Sequence, residues 1–219
     1  MTFHLIDMDT WERRTHYAAY TGFLPLNWNI TVELDLSVLL PEIRSRGLRL
    51  YPVMLYLACT AIGRIPAFRM GYDAQGRLGY FDEVHPSYTV FHKDDQTFSD
   101  LWSYYHPDFC TFYDGMVQDM ETWGACKGYK GRPDAPPNCC PMSMTPWLRF
   151  TSCSFDTFKP AQMLRPILTF GRYFERDRHT LLPFAICANH AVADGWHAAC
   201  LVQELQEMMD EPQNFLGKA

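Results

Sequence analysis

Residues Leu181–Ala199 read LLPFAICANHAVADGWHAA, and this stretch decides the fold. Leu182–Ala188 is a near-continuous apolar run, which fits a strand covered on both faces. The chain then passes through His190 and enters a helix at Asp194–Gly195. That helix carries Ala198, Leu201, Val202, Leu205, Met208 and Met209 at helical spacing, an amphipathic face that packs on something. A histidine at a strand end, held by the following turn, is placed for general base work, and histidine suits that role near neutral pH. Asp194 at the helix start can accept backbone N–H groups, and Gly195 permits a close-packed backbone. Composition alone predicts about 0.03 matches to His-x-x-x-Asp-Gly in a chain like this one. Taken alone, the stretch also fits a satisfied core histidine followed by a capping aspartate.

Working outward, Ile30–Leu36 alternates apolar and polar residues, a half-buried strand. Ser37 offers an N-cap for a short helix to about Arg46, with Gly47 as its stop. Pro52 sits in a first helical turn, and the apolar stretch after it predicts a buried helix. Strands are expected near Phe68–Tyr72, Leu78–Phe81, Tyr88–His92, Leu148–Phe155 and Ile167–Tyr173. Phe109–Trp123 reads as a helix, and Gly124–Pro141, rich in Gly and Pro, as a bulky surface loop. Mixed strands with interspersed helices give an α/β (α+β) two-layer sandwich, a mixed sheet covered by helices. One domain over 1–219 is the expectation.

The chain has 219 residues, 47% of them apolar and 20% charged, a globular balance. A net charge of −6 argues against a general nucleic-acid or anionic-membrane partner. Eight cysteines contain no Cys-x-x-Cys pair, so neither a zinc ribbon nor a thioredoxin motif is expected. The N-terminus lacks a signal-peptide pattern, and no apolar run approaches a membrane span. A cytoplasmic protein with reduced thiols is the expectation. Aromatics reach 15% and offer walls for pockets or interfaces.

Five further stretches join NHAVADGWH (Asn189–His197): WERRTHY (Trp11–Tyr17), RLYPVMLYL (Arg49–Leu57), SYTVFHKDDQTFS (Ser87–Ser99), SMTPW (Ser143–Trp147) and PILTFGRY (Pro166–Tyr173). In this order they resemble the chloramphenicol acetyltransferases of the trimeric, His-x-x-x-Asp-Gly type, nearly end to end. The resemblance implies acetyl-CoA as cosubstrate, no metal, and direct attack of an acceptor hydroxyl on the thioester in a ternary complex. His190 matches the general base, whose tautomer is fixed in the family by its own backbone carbonyl. Asp194 matches a structural aspartate in a buried ion pair with Arg13. Ser143 matches the donor to the tetrahedral oxyanion, and Thr169 a threonine that holds a water beside it.

By the same resemblance Arg49, Tyr51, Arg172 and Tyr173 lie near the CoA nucleotide. Tyr20, Leu26, Trp28, Phe98 and Phe155 lie at the wall of the acceptor pocket. Departures from the family pattern gather there: Ala19 where phenylalanine is frequent, Leu26 for cysteine, Trp28 for phenylalanine, Phe155 for leucine. Family members are homotrimers with each active site at a subunit interface. Chloramphenicol is the acceptor implied. Alternatives are another small hydroxylated acceptor, or a dihydrolipoamide acyltransferase core, although the chain is too short to carry a lipoyl domain and a linker besides a core of that size.

Overall fold

In the computed structural model, which describes residues 2–155 and 163–217, the deciding stretch becomes β10 (His179–Asn189), a turn, and α5 (Gly195–Asp210). β10 lies inside a mixed sheet. On one side it pairs antiparallel with β2 (Asn27–Asp35), and on the other with β8 (Ile167–Phe170). Its outer end takes β9 (Phe174–Arg176). Beyond β8 come β7 (Cys139–Met144) and β5 (His85–His92), both joined in parallel, and then β6 (Thr97–Trp102), antiparallel at the far edge. A smaller antiparallel sheet joins β1 (Phe3–Leu5), β4 (Leu78–Phe81) and β3 (Met70–Tyr72).

One face of the large sheet is apolar. Leu182, Phe184 and Ile186 line up with Leu168 and Phe170 across β8, and Phe170 stacks on Phe184 with ring centroids 5.0 Å apart. Helices α3 (Leu50–Gly63) and α5 are part of the same buried core, together with α4 (Phe109–Trp123) and α2 (Leu39–Ser45). α3 has Val53 through Cys59 buried without a break, which is why its sequence shows no polar face. The other face is different. Thr31, Ala185, Thr169 and Ser143 stand abreast on β2, β10, β8 and β7, a row of small side chains.

Several expectations change. Leu148–Phe155 is not a strand. Its N–H groups find other partners: Leu148 bonds back to Thr145 in a turn, Cys153 N donates to Thr31 Oγ1, and Phe155 N donates to Asn29 Oδ1. β2 side chains, not a ladder, hold that segment. The loop after α4 ends at Asn138, because Cys139 and Cys140 already open β7. Pro66 starts a 3-10 turn over Pro66–Arg69, so the strand there begins only at Met70. Ser37 does not cap α2. Its hydroxyl is turned back onto Asp35 and accepts from Thr180 N. β8 stops at Phe170, and Gly171 follows it at a crowded point. A Cβ there would sit 2.9 Å from the Phe150 ring and 3.1 Å from the Leu148 carbonyl.

All eight cysteines are free thiols. Burial pushes Cys139 up to about 11 and Cys140 to about 12, and raises Cys59 and Cys187 as well. Among the described residues no helix is long and apolar enough to cross a membrane.

The stacked Phe170–Phe184 pair is the test of this core. Phe184→Ala is expected to cost about 3–5 kcal/mol of unfolding free energy, the usual range for emptying a buried aromatic site. Urea denaturation of the variant against the parent reads that loss directly.

Candidate active site

His190 is the first residue past β10, and four neighbours fix it. Its backbone N–H donates to the Leu26 carbonyl at 3.1 Å. Its own carbonyl accepts from Arg13 Nη2 at 3.0 Å. Its ring stacks on Tyr20, with centroids 4.2 Å apart and planes 15° from parallel. Nδ1 lies 3.2 Å from the Ala193 carbonyl, three residues further on. The tautomer-holding carbonyl is therefore Ala193's, while His190's own is occupied by Arg13. A carbonyl only accepts, so Nδ1 carries the hydrogen and Nε2 presents its lone pair.

Arg13, the last residue before α1 (Arg14–Thr21), ties the turn together. Nε donates to the Ala191 carbonyl at 3.1 Å, Nη1 to Asp194 Oδ2 at 2.7 Å, and Nη2 to His190. Asp194 caps α5 by accepting from Trp196 N at 3.1 Å. Its other neighbour is His197, whose Nδ1 lies 2.9 Å from Oδ1. Burial alone raises the Asp194 carboxyl. Hydrogen bonds from Arg13 and His197 overcome that and hold it well below the carboxylate range. The pair is only partly buried: the Asp194 side chain keeps 35% of its exposure and Arg13 15%. The expectation of a buried pair is corrected accordingly. Gly195 is not needed for close packing either, since a Cβ there meets open space.

Ser143 and Thr169 form a second group. Their hydroxyls are 3.2 Å apart on neighbouring strands, and Thr169 is buried. They stand abreast of Ala185, and His190 comes five residues later, just past the end of β10. That offset is about 17 Å along the strand and about 10 Å across two strand spacings. Within one chain His190 and Ser143 do not meet.

The proposed pocket aromatics divide in the same way. Tyr20 stacks on His190, Leu26 lends it a carbonyl, and Trp28 Nε1 donates to Ala193 O at 2.9 Å. Phe155 lies with its backbone on Asn29 and Cys187, on the face that carries Thr169. Phe98 is exposed at the opposite edge, on β6 and across from Phe91. Five strand spacings, about 24 Å, separate β6 from β2.

At the donor side, Arg49 and Arg172 are exposed, and Arg172 N bonds the Leu148 carbonyl. Tyr173 accepts from Arg44 Nη2 at 3.1 Å, so the structure adds a cation there that no motif signalled. Tyr51 points its hydroxyl at the Met142 carbonyl, 3.2 Å away, with its ring edge-on to Tyr88. It is built into the seam beside β7 and supports Ser143 from behind. Among the described residues no group of three His, Cys, Asp or Glu could hold a metal ion.

The model of one family, chloramphenicol acetyltransferase, matches residues 1–206. The chain belongs to the chloramphenicol acetyltransferase family. Among its curated members, a chloramphenicol acetyltransferase of Clostridium perfringens is 35% identical over 218 residues and covers the whole of both chains. One from Vibrio anguillarum is 36% identical over 217 residues, 99% of each. Such relatives make the chain an acyltransferase. A solved chloramphenicol acetyltransferase superposes with a TM-score of 0.83 at 23% identity, over 95% of this chain and 100% of that one. The dihydrolipoamide acetyltransferase of Azotobacter vinelandii shares the fold more distantly, with a TM-score of 0.63 at 15% identity and 93% and 88% coverage.

Asp194 gives a test through acid stability. Its carboxyl is held low in the fold, so its contribution is complete above the ordinary carboxylate range and is lost as pH falls through the folded value. Asp194→Asn is expected to lower stability by about 1–3 kcal/mol at pH 7. It should also flatten the fall of the melting temperature with acid. Thermal melts of both proteins from pH 7 to pH 3 check each part.

Proposed function

We propose that the protein is an acetyl-CoA-dependent O-acetyltransferase whose acceptor is chloramphenicol, and that it confers resistance to that drug in the cytoplasm. One observation carries this reading: the His190 ring is fixed with Nδ1 on a carbonyl and Nε2 free to accept a proton. Membership of the family supplies the chemistry for that base. His190 Nε2 takes the proton of the acceptor hydroxyl as its oxygen attacks, and returns it to the departing sulfur. Ser143 Oγ donates to the oxyanion, with Thr169 beside it. Acetyl-CoA supplies the activated acetyl group. Arg49, Arg172 and Tyr173 are exposed and chemically suited to its phosphates and adenine, and Tyr51 backs the strand that presents Ser143.

The working unit in this reading is a homotrimer of single catalytic domains over 1–219. One subunit contributes His190, Tyr20, Leu26 and Trp28. Its neighbour contributes Ser143, Thr169 and Phe98, with Phe155 on the face between. The support is the separation of these groups within one chain: the His190 group at the β2 side of the sheet, Ser143 and Thr169 in its middle, and Phe98 at the β6 edge. A head-to-tail contact between copies brings opposite edges together, and a closed rotation turns such contacts into a ring.

Purified protein mixed with acetyl-CoA should release free thiol only when chloramphenicol is added. His190→Ala should abolish that release, and Ser143→Ala should lower kcat by about 10²–10³. Sedimentation should give a trimer. A folded trimer that releases no thiol with chloramphenicol, but does so with another alcohol, moves the acceptor assignment. Silence with every alcohol overturns the reading.

A further inference from the structure

The Ala193 carbonyl receives two donors. His190 Nδ1 approaches at 3.2 Å and the Trp28 indole Nε1 at 2.9 Å. A carbonyl oxygen has two lone pairs, so both bonds form at once. Trp28 and Leu26 are two residues apart at the start of β2, and each binds the turn that carries the base. Leu26 accepts from the His190 backbone, and Trp28 donates to the carbonyl that faces the ring. Other contacts on this turn come from Arg13, on Ala191, His190 and Asp194, from Asn189, on the N–H groups of Ala191, Val192 and Ala193, and from Tyr20 on the ring face. None of those reaches the Ala193 oxygen.

We infer that Trp28 is a positioning residue for the general base: its indole N–H holds the Ala193 carbonyl, and that carbonyl keeps His190 in the Nδ1–H tautomer with Nε2 as acceptor. The inference deepens the proposed reading and rests on His190 as the base. A ring nitrogen chooses its tautomer by the partner of the other nitrogen. Ala193 is flanked by Val192 and Asp194 in a short turn, and the indole bond pins its peptide plane from the β2 side. Without that bond the oxygen is held from one direction only, and the imidazole is free to exchange its proton between nitrogens. The indole ring would fill the same space in either case. What distinguishes Trp28 from a passive wall is the single N–H.

The test replaces that N–H and little else. Trp28→Phe removes it with some loss of ring area. Benzothienylalanine at position 28, introduced by suppression of a stop codon, puts sulfur in place of the N–H and keeps the ring. Histidine labelled with ¹⁵N, read at pH 8 and assigned with His190→Ala, reports which nitrogen carries the hydrogen. Steady-state kinetics report kcat and KM. The expected result is the Nδ1–H form in the parent and a rise of the Nε2–H form in both variants. kcat should fall roughly threefold to tenfold, with KM for acetyl-CoA unchanged. A parent in the Nε2–H form overturns the inference. So does an unchanged tautomer in the benzothienyl variant, even if KM for chloramphenicol rises, because Trp28 then acts only as a pocket wall. The tautomer is read without substrate. A parent that acetylates no chloramphenicol yet shows the tautomer shift therefore refutes the acceptor and leaves the inference standing.

Discussion

The three-way grip of Arg13 is the interaction on which the rest of the site depends. One planar guanidinium binds the carbonyls of His190 and Ala191 and the carboxylate of Asp194. No single-point cation could do this, because the three acceptors lie in a fan that matches the fork of arginine donors. The grip fixes where β10 stops and where α5 starts. It also draws the N-terminal segment, from the opposite end of the sequence, onto the turn. His190 is thereby held by backbone geometry rather than by a second acid, and Asp194 serves the turn instead of the imidazole.

The candidate residues are spread across the sheet. β2 carries groups that hold His190, and β6 carries Phe98 at the other side. Ser143 and Thr169 sit in the middle, on the face without helices. That face is made of small side chains, which leaves room for a ligand and for the 153–155 segment that crosses near β2. The apolar face cannot serve, because α3 and α5 already fill it.

Much of this was legible in the sequence, and the exceptions have physical causes. β10 and α4 are strong periodic or apolar signals and appear where expected. Leu148–Phe155 looks like a strand by composition, yet side chains of β2 satisfy its N–H groups. β6 was missed because Thr97–Trp102 mixes exposed and buried residues without clean alternation. In the site, side chains were legible and backbone groups were not. The carbonyls of Leu26 and Ala193 are backbone groups that every residue carries, so no motif marks them. His197 sits within the decisive motif, but its bond to Asp194 shows only once the turn is built. Arg44 meets Tyr173 across 129 residues and left no local trace.

The buried thiols of this molecule acquire a meaning from the chemistry beside them. Under the proposed reading the protein handles a thioester, whose carbonyl any nearby protein thiolate could attack, taking the acetyl group onto sulfur and releasing the donor's thiol. Such attack requires a thiolate rather than a thiol. Cys139 and Cys140 sit at about 11 and 12, and Cys59 and Cys187 are raised too, so these sulfurs remain protonated at neutral pH. Burial in the sheet and helices thus keeps these four cysteines out of that side reaction.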